Sequence, residues 1–164
     1  MTLSVKPAAG PKENLRTMQV LTATLLIGII FFGGIVIILL SVKGHLLDNE
    51  PLLFSEILLY GAIGLAAVCY FFARTIYNKK LETVKNSALP LADKLSQYRA
   101  LLVLYLACCE GPALFSIVVL YLTGNFLVLI ITICMMMAMA VKFPFTQKII
   151  SLLNVDWVEQ QDLI

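Results

Sequence analysis

The sequence predicts an all-α membrane protein, a bundle of four transmembrane helices arranged as two hairpins with both ends in the cytoplasm. Three observations carry that expectation. The 164 residues are 60% hydrophobic and only 13% charged, with a mean hydropathy of +0.93. The apolar residues fall into four runs, each long enough to cross a bilayer. The basic residues gather in segments that share one side of such an arrangement. A water-soluble domain of this length cannot bury so large an apolar share, because surface-to-volume scaling limits its core. Lipid removes the difficulty.

The runs cover about 18–42, 53–77, 98–122 and 125–143. At 1.5 Å per residue, runs of roughly 19 to 25 residues cross ~30 Å of hydrocarbon. Inside lipid every backbone N–H and C=O must be satisfied within the segment, which selects helices. The polar–apolar alternation of a barrel strand is missing. The first run is longer than the apolar part of a cleavable signal, and no small-residue cleavage motif follows it, so it reads as a span. The whole chain, 1–164, reads as one membrane domain.

Orientation follows from Lys and Arg. Lys6, Lys12 and Arg16 precede the first span. Arg74, Lys79, Lys80, Lys85, Lys94 and Arg99 lie around the middle connection, and Lys142 and Lys148 follow the fourth span. Lys43 alone falls on the other side. Both termini and the connection 78–97 are therefore expected inside.

The connections are short. Residues 43–52 form an external loop with Asp48, Asn49, Glu50 and Pro51, and Thr123-Gly124-Asn125 forms a tight external turn. The stretch 78–97 prolongs the second span and restarts near Pro90, with Ser87 as cap and Pro90 in the first turn. Leu89, Ala92 and Leu95 are then placed on the membrane surface. Past Pro144, the segment 145–158 alternates Ile149, Ile150, Leu152, Leu153 and Trp157 with polar residues. It reads as an amphipathic interfacial segment with Trp157 at headgroup depth; docking on a partner is the alternative.

A shift of 80 residues lays 34–44 on 114–124, and a shift of 68 lays 73–81 on 141–149. Both hairpins begin and end inside, so this pattern corresponds to a parallel 2+2 duplication.

Glu110 is the residue that this architecture does not explain. It lies 11 residues past Arg99 and 14 before Gly124, near the bilayer midplane. An ionisable group there costs on the order of 3 kcal/mol, which neighbouring Leu, Ile and Val offset at about 0.3 to 0.6 kcal/mol each. No Lys, Arg or His lies at similar depth in any span, so the neutral carboxyl is expected unless a cation or another subunit pairs with it. Tyr105, Ser116, Thr24, Tyr70 and Thr132 are the polar side chains that could hydrogen-bond it. Pro112 removes an N–H and frees the Cys108 carbonyl, and Gly111 lets the backbone bend, so a kink is expected beside the carboxyl. Broken helices at mid-depth are where many transporters place their sites. Equally, a protonated Glu110 could donate to the freed carbonyl and close a purely structural account.

Other features carry less. Gly61, Gly64 and Ala67, like Ala107 and Gly111, are small residues at helical spacing that mark close helix packing within the bundle or between subunits. Met135, Met136, Met137 and Met139 point around most of the fourth span and read as packing or lipid contact. Cys69, Cys108, Cys109 and Cys134 lie in apolar runs without ligand spacing, and His45 falls in a loop. No metal site or cofactor is implied. A net charge of +2 gives no reason to expect a nucleic-acid partner.

The stretches Lys94-Leu-Ser-Gln-Tyr-Arg-Ala100, Cys109-Glu-Gly-Pro-Ala-Leu-Phe115 and Tyr121-Leu-Thr-Gly-Asn125 resemble a group of small uncharacterised bacterial four-span membrane proteins. The likeness covers the second half, to the Lys142-Phe-Pro-Phe-Thr146 boundary, and implies a bacterial inner (plasma) membrane. More distantly, the midplane glutamate is similar to that of the proteolipid (c-type) subunits of rotary ATPases. Those carry it on the second helix of a hairpin, whereas this chain has it on the first. Small multidrug-resistance transporters share four spans and one glutamate, theirs in the first helix.

Two functional readings follow, and the residues favour the first. One is a small transporter or ion-conducting subunit using Glu110 as a proton or cation site. The other is a non-catalytic structural subunit or scaffold of a larger membrane complex, or a homo-oligomer, with Glu110 paired across an interface. An enzyme is not expected, because no nucleophile–base pair, metal cluster or phosphate loop is recognisable.

Overall fold

A computed structural model describes residues 11–44, 52–87 and 90–153. The described residues form five helices: α1 (Pro11–Lys43), α2 (Leu52–Lys85), α3 (Leu91–Thr123), α4 (Val128–Val141) and α5 (Thr146–Leu153). Three of them, α1 to α3, are long and apolar enough to cross a membrane, and α4 is a shorter apolar helix. The chain is thus an all-helical integral membrane protein.

The helix ends have local causes. Pro11 opens α1, where its missing N–H is no loss, and Glu13 in the first turn suits the helix dipole. Gly44 closes α1 with φ 74, a left-handed conformation that glycine adopts without steric cost. Its N–H reaches the Leu40 carbonyl at 3.0 Å. Gly124 does the same for α3, with φ 65 and a 2.8 Å bond to Leu120.

The second helix continues to Lys85 and α3 restarts at Leu91, so the middle connection is largely helical, as expected of a stretch that prolongs the second span. Ser87 does not cap α3. Its hydroxyl instead donates to the Val84 carbonyl at 2.7 Å and finishes α2. Pro90 takes the cap position with φ −56 and ψ 153 and no side-chain bond, and its carbonyl receives the Asp93 and Lys94 N–H groups.

The fourth span is shorter than the 125–143 expected. The Asn125 side chain accepts the Leu127 N–H at 3.0 Å, which holds 125–127 in a turn, and Pro144 follows the other end. The 14 residues left give about 21 Å, less than the ~30 Å hydrocarbon core.

Around α3 the other helices are unevenly placed. It packs against α1, α2 and α4, while α1 and α2 hardly meet and α4 touches both. Half of its most apolar window is buried, against 11% for α1 and 17% for α2. The partners each supply a narrow stripe: Leu15, Met18, Thr22, Ile29 and Val36 from α1; Ala62, Ala66, Ala73, Tyr77 and Val84 from α2; Val128, Thr132, Met135 and Met139 from α4. Steps of three, four and seven residues keep each stripe on one helix face.

Two expectations change here. Leu95 is fully buried in the core, not on the membrane surface, because α3 begins early enough to pack its first turns against the other helices. The two halves are also not packed alike: α3 and α4 lie against each other, α1 and α2 do not. The parallel duplication is therefore not repeated in the packing. Lys6, the loop 45–51, Leu89 and Trp157 lie outside the described residues.

Hydroxyls in the apolar stretches are satisfied by their own helices. Thr22, Ser41, Thr75, Ser116 and Thr123 each donate to the carbonyl four residues earlier, which hides the group from lipid. Thr132 instead reaches across from α4 to the Ala113 carbonyl at 3.4 Å.

Candidate functional site

Glu110 sits on α3, half-buried, on the helix side bordered by the core residues Leu106, Ala113 and Ile117, four, three and seven positions away. To its other side the surface of α3 is open. Val103, Leu104, Ala107, Gly111, Phe115 and Val118 are all exposed, forming a continuous face between the sides that α1 and α2 cover. Gly33 of α1 approaches Ile117, where an added Cβ would meet its Cδ1 at 3.6 Å. The carboxyl group therefore stands at the margin between the α1–α3 contact and the open face. Among the described residues no hydrogen bond or ion pair engages it.

The support expected around it is dispersed. At 100° per residue, Tyr105, Cys108 and Ser116 lie about 140°, 160° and 120° round the helix from Glu110. Ser116 donates to the Pro112 carbonyl at 2.8 Å. Tyr105 packs edge-on to Tyr77, with ring centres 5.4 Å apart. Tyr70 accepts a bond from Arg74 at 3.4 Å, and Thr132 is committed to Ala113. Thr24 is exposed. Gly111 and Pro112 lie inside α3, which runs through them without a break.

The small residues also face differently from one of their two expected uses. Gly61, Gly64, Ala67, Ala107 and Gly111 are all exposed, Ala67 on the wall of the space between α2 and α4. An added Cβ at Gly61, Gly64 or Gly111 would meet nothing within 4 Å, so these are not close contacts within the chain. On α2 that role belongs to Ala62, Ala66 and Ala73, one or two positions away and on another face.

A second constellation was not anticipated. Tyr77 and Tyr98 share a buried hydroxyl–hydroxyl bond of 3.3 Å, and the Lys142 ammonium sits 4.3 Å above the Tyr77 ring and 5.9 Å from that of Tyr105. A cation over an aromatic face is attracted by the ring quadrupole. This knot fastens the ends of α2, α3 and α4. Beside it, α1 is tied in by Gln19, whose Nε2 donates to the Pro144 carbonyl at 3.0 Å. The signal was present: Tyr70 and Tyr77, and Tyr98 and Tyr105, are each seven residues apart, a spacing that keeps both members on one stripe.

The cleft beside this knot, of about 680 Å³, runs between α2 and α4 from Ile63 to Arg74 and Lys142. Two smaller clefts lie along 13–24 and between 80–84 and 97–104. Glu110 lines none of the three. Compared with known proteins, the chain matches no family model, no curated sequence and no solved structure.

Proposed function

We propose that the protein is a membrane-embedded structural subunit, assembling through the open face of α3 with Glu110 as a polar contact at its rim. The observation that carries this reading is the pairing of an unengaged carboxyl with a flat, small-residue surface at Ala107 and Gly111. Small residues let two membrane helices approach closely. A carboxyl with no partner among the described residues gains one when a second helix arrives. Gly61, Gly64 and Ala67 offer a further small-residue surface on α2. The proposal includes four crossings, both termini in the cytoplasm and a bacterial inner membrane, supported by the basic residues at one end and by the resemblance noted above.

Mid-depth position favours a second reading, in which Glu110 carries a proton or small cation. It is the weaker one, because the carboxyl stands at an outer margin and its polar candidates face elsewhere. Glu110→Gln separates the two. For a structural subunit, the variant folds normally but elutes as a smaller complex in mild detergent, with vesicle proton permeability unchanged. Lost proton or cation flux with complex size intact would replace the first reading with the second. If neither changes, Glu110 has neither role.

A further inference from the structure

Arg74, Lys142 and Lys148 crowd the basic end of the α2–α4 cleft. Arg74 and Lys142 line it directly, and Lys148 is close enough, with Arg74, to act electrostatically on Lys142. Lys142 is held by the Tyr77 ring at 4.3 Å, Arg74 by the Tyr70 hydroxyl at 3.4 Å, and Lys148 by the Val141 carbonyl. Among the described residues no carboxylate pairs with any of the three. Like charges gathered at a membrane boundary repel one another and draw an anion.

Below these cations the cleft turns apolar. Ile63, Ala66 and Ala67 of α2 face Ile130, Ile131 and Met137 of α4 across it. From Arg74 back to Ile63 is eleven residues, about 16 Å of helix, which matches half of the ~30 Å hydrocarbon core. The site thus has a charged mouth at headgroup depth and an apolar length of one leaflet. Asn78 adds a neutral polar side chain beside the mouth.

We propose that this cleft binds one anionic phospholipid, its phosphate between Arg74 and Lys142 and an acyl chain lying between α2 and α4. A soluble phosphate would satisfy the cations and leave the apolar length unused. A zwitterionic lipid would fill that length and leave the charges less well answered. Only the anionic amphiphile matches both parts.

The test uses the full chain purified in a neutral detergent. Native mass spectrometry compares retention of dioleoyl phosphatidylglycerol with dioleoyl phosphatidylcholine, and inorganic phosphate is added as competitor. Phosphatidylglycerol should be preferred by roughly thirtyfold, as two well-placed cations near a membrane surface would give. The preference should disappear in Arg74→Gln/Lys142→Gln and survive in Lys79→Gln/Lys80→Gln, which removes the same charge from exposed positions on the same helix. Lys142 packs on Tyr77, so an Ala67→Trp variant covers the case in which the double variant misfolds. Ala67 is exposed yet lines the cleft, and the indole should block lipid retention with every cation in place. Equal retention of the two lipids, equal loss in the control pair, undiminished retention in Ala67→Trp, or full displacement by inorganic phosphate would each overturn the proposal.

Discussion

The hydroxyls of Tyr77 and Tyr98 meet at 3.3 Å where both rings are almost wholly buried. Removing one leaves the other as a buried group without its partner, whereas removing both leaves two apolar rings. Tyr98→Phe alone should cost about 1 kcal/mol, and adding Tyr77→Phe should cost little more. Unfolding in mixed micelles across the four-member cycle checks this; strictly additive losses would mean that the hydroxyls do not interact. At this scale the sequence was only partly legible. Glu110 stands out because a carboxyl in an apolar run violates a simple rule. Its surroundings did not stand out, since Tyr105, Cys108 and Ser116 are close in number but turned away by the helical period. Proximity along a helix is a poor guide to proximity in space unless its covered faces are known. Those faces were set by α1, α2 and α4 together.

Element by element, the chain was easier to read. The first three apolar runs, the break at Pro90 and the turn at Gly124 follow from residue chemistry, and the helices respect them, while the fourth run keeps only the 14 helical residues of α4. Rotation is harder to read. Gly61 and Gly64 stand out in the sequence as small residues, yet Ala62, Ala66 and Ala73 are the small residues that α2 buries. Composition cannot tell these faces apart when both are apolar, because lipid and protein neighbours are equally hydrophobic. Ala62→Leu, at a fully buried position packed with Val119 and Val128, should therefore lower stability by about 1 to 3 kcal/mol through overpacking. Gly64→Leu, whose Cβ would meet nothing within 4 Å, should leave it unchanged or raise it by up to about 1 kcal/mol from helix propensity. Detergent unfolding of the isolated chain compares them, and a reversed order would place α2 in the wrong rotation. Leu95→Ala tests the start of α3 in the same way. A fully buried leucine predicts a loss of about 2 kcal/mol or more, whereas a surface position predicts almost none.

The molecule as a whole is a central helix covered on three sides. Arg74 of α2 and Lys142 at the end of α4 border the same cleft. If the positive-inside rule sets the orientation, Gln97→Cys in a background lacking the native cysteines should react with impermeant maleimide only from the cytoplasmic side. Asn125→Cys should react only from the other. Labelling of both from one side would remove the four-crossing topology. The fourth side of α3 bears most directly on the account, because nothing in the described chain covers Ala107, Gly111 and Phe115. Gly111→Phe introduces bulk on this exposed face, where an added Cβ would meet nothing from the rest of the described chain within 4 Å. The decisive measurement is the mass of the complex extracted from membranes in mild detergent, with helical content and thermal stability of the isolated chain as controls. The account predicts that Gly111→Phe folds like the parent but runs at the mass of a single chain. A parent that is itself a single chain, or a variant with the parent's full complex mass, would contradict it.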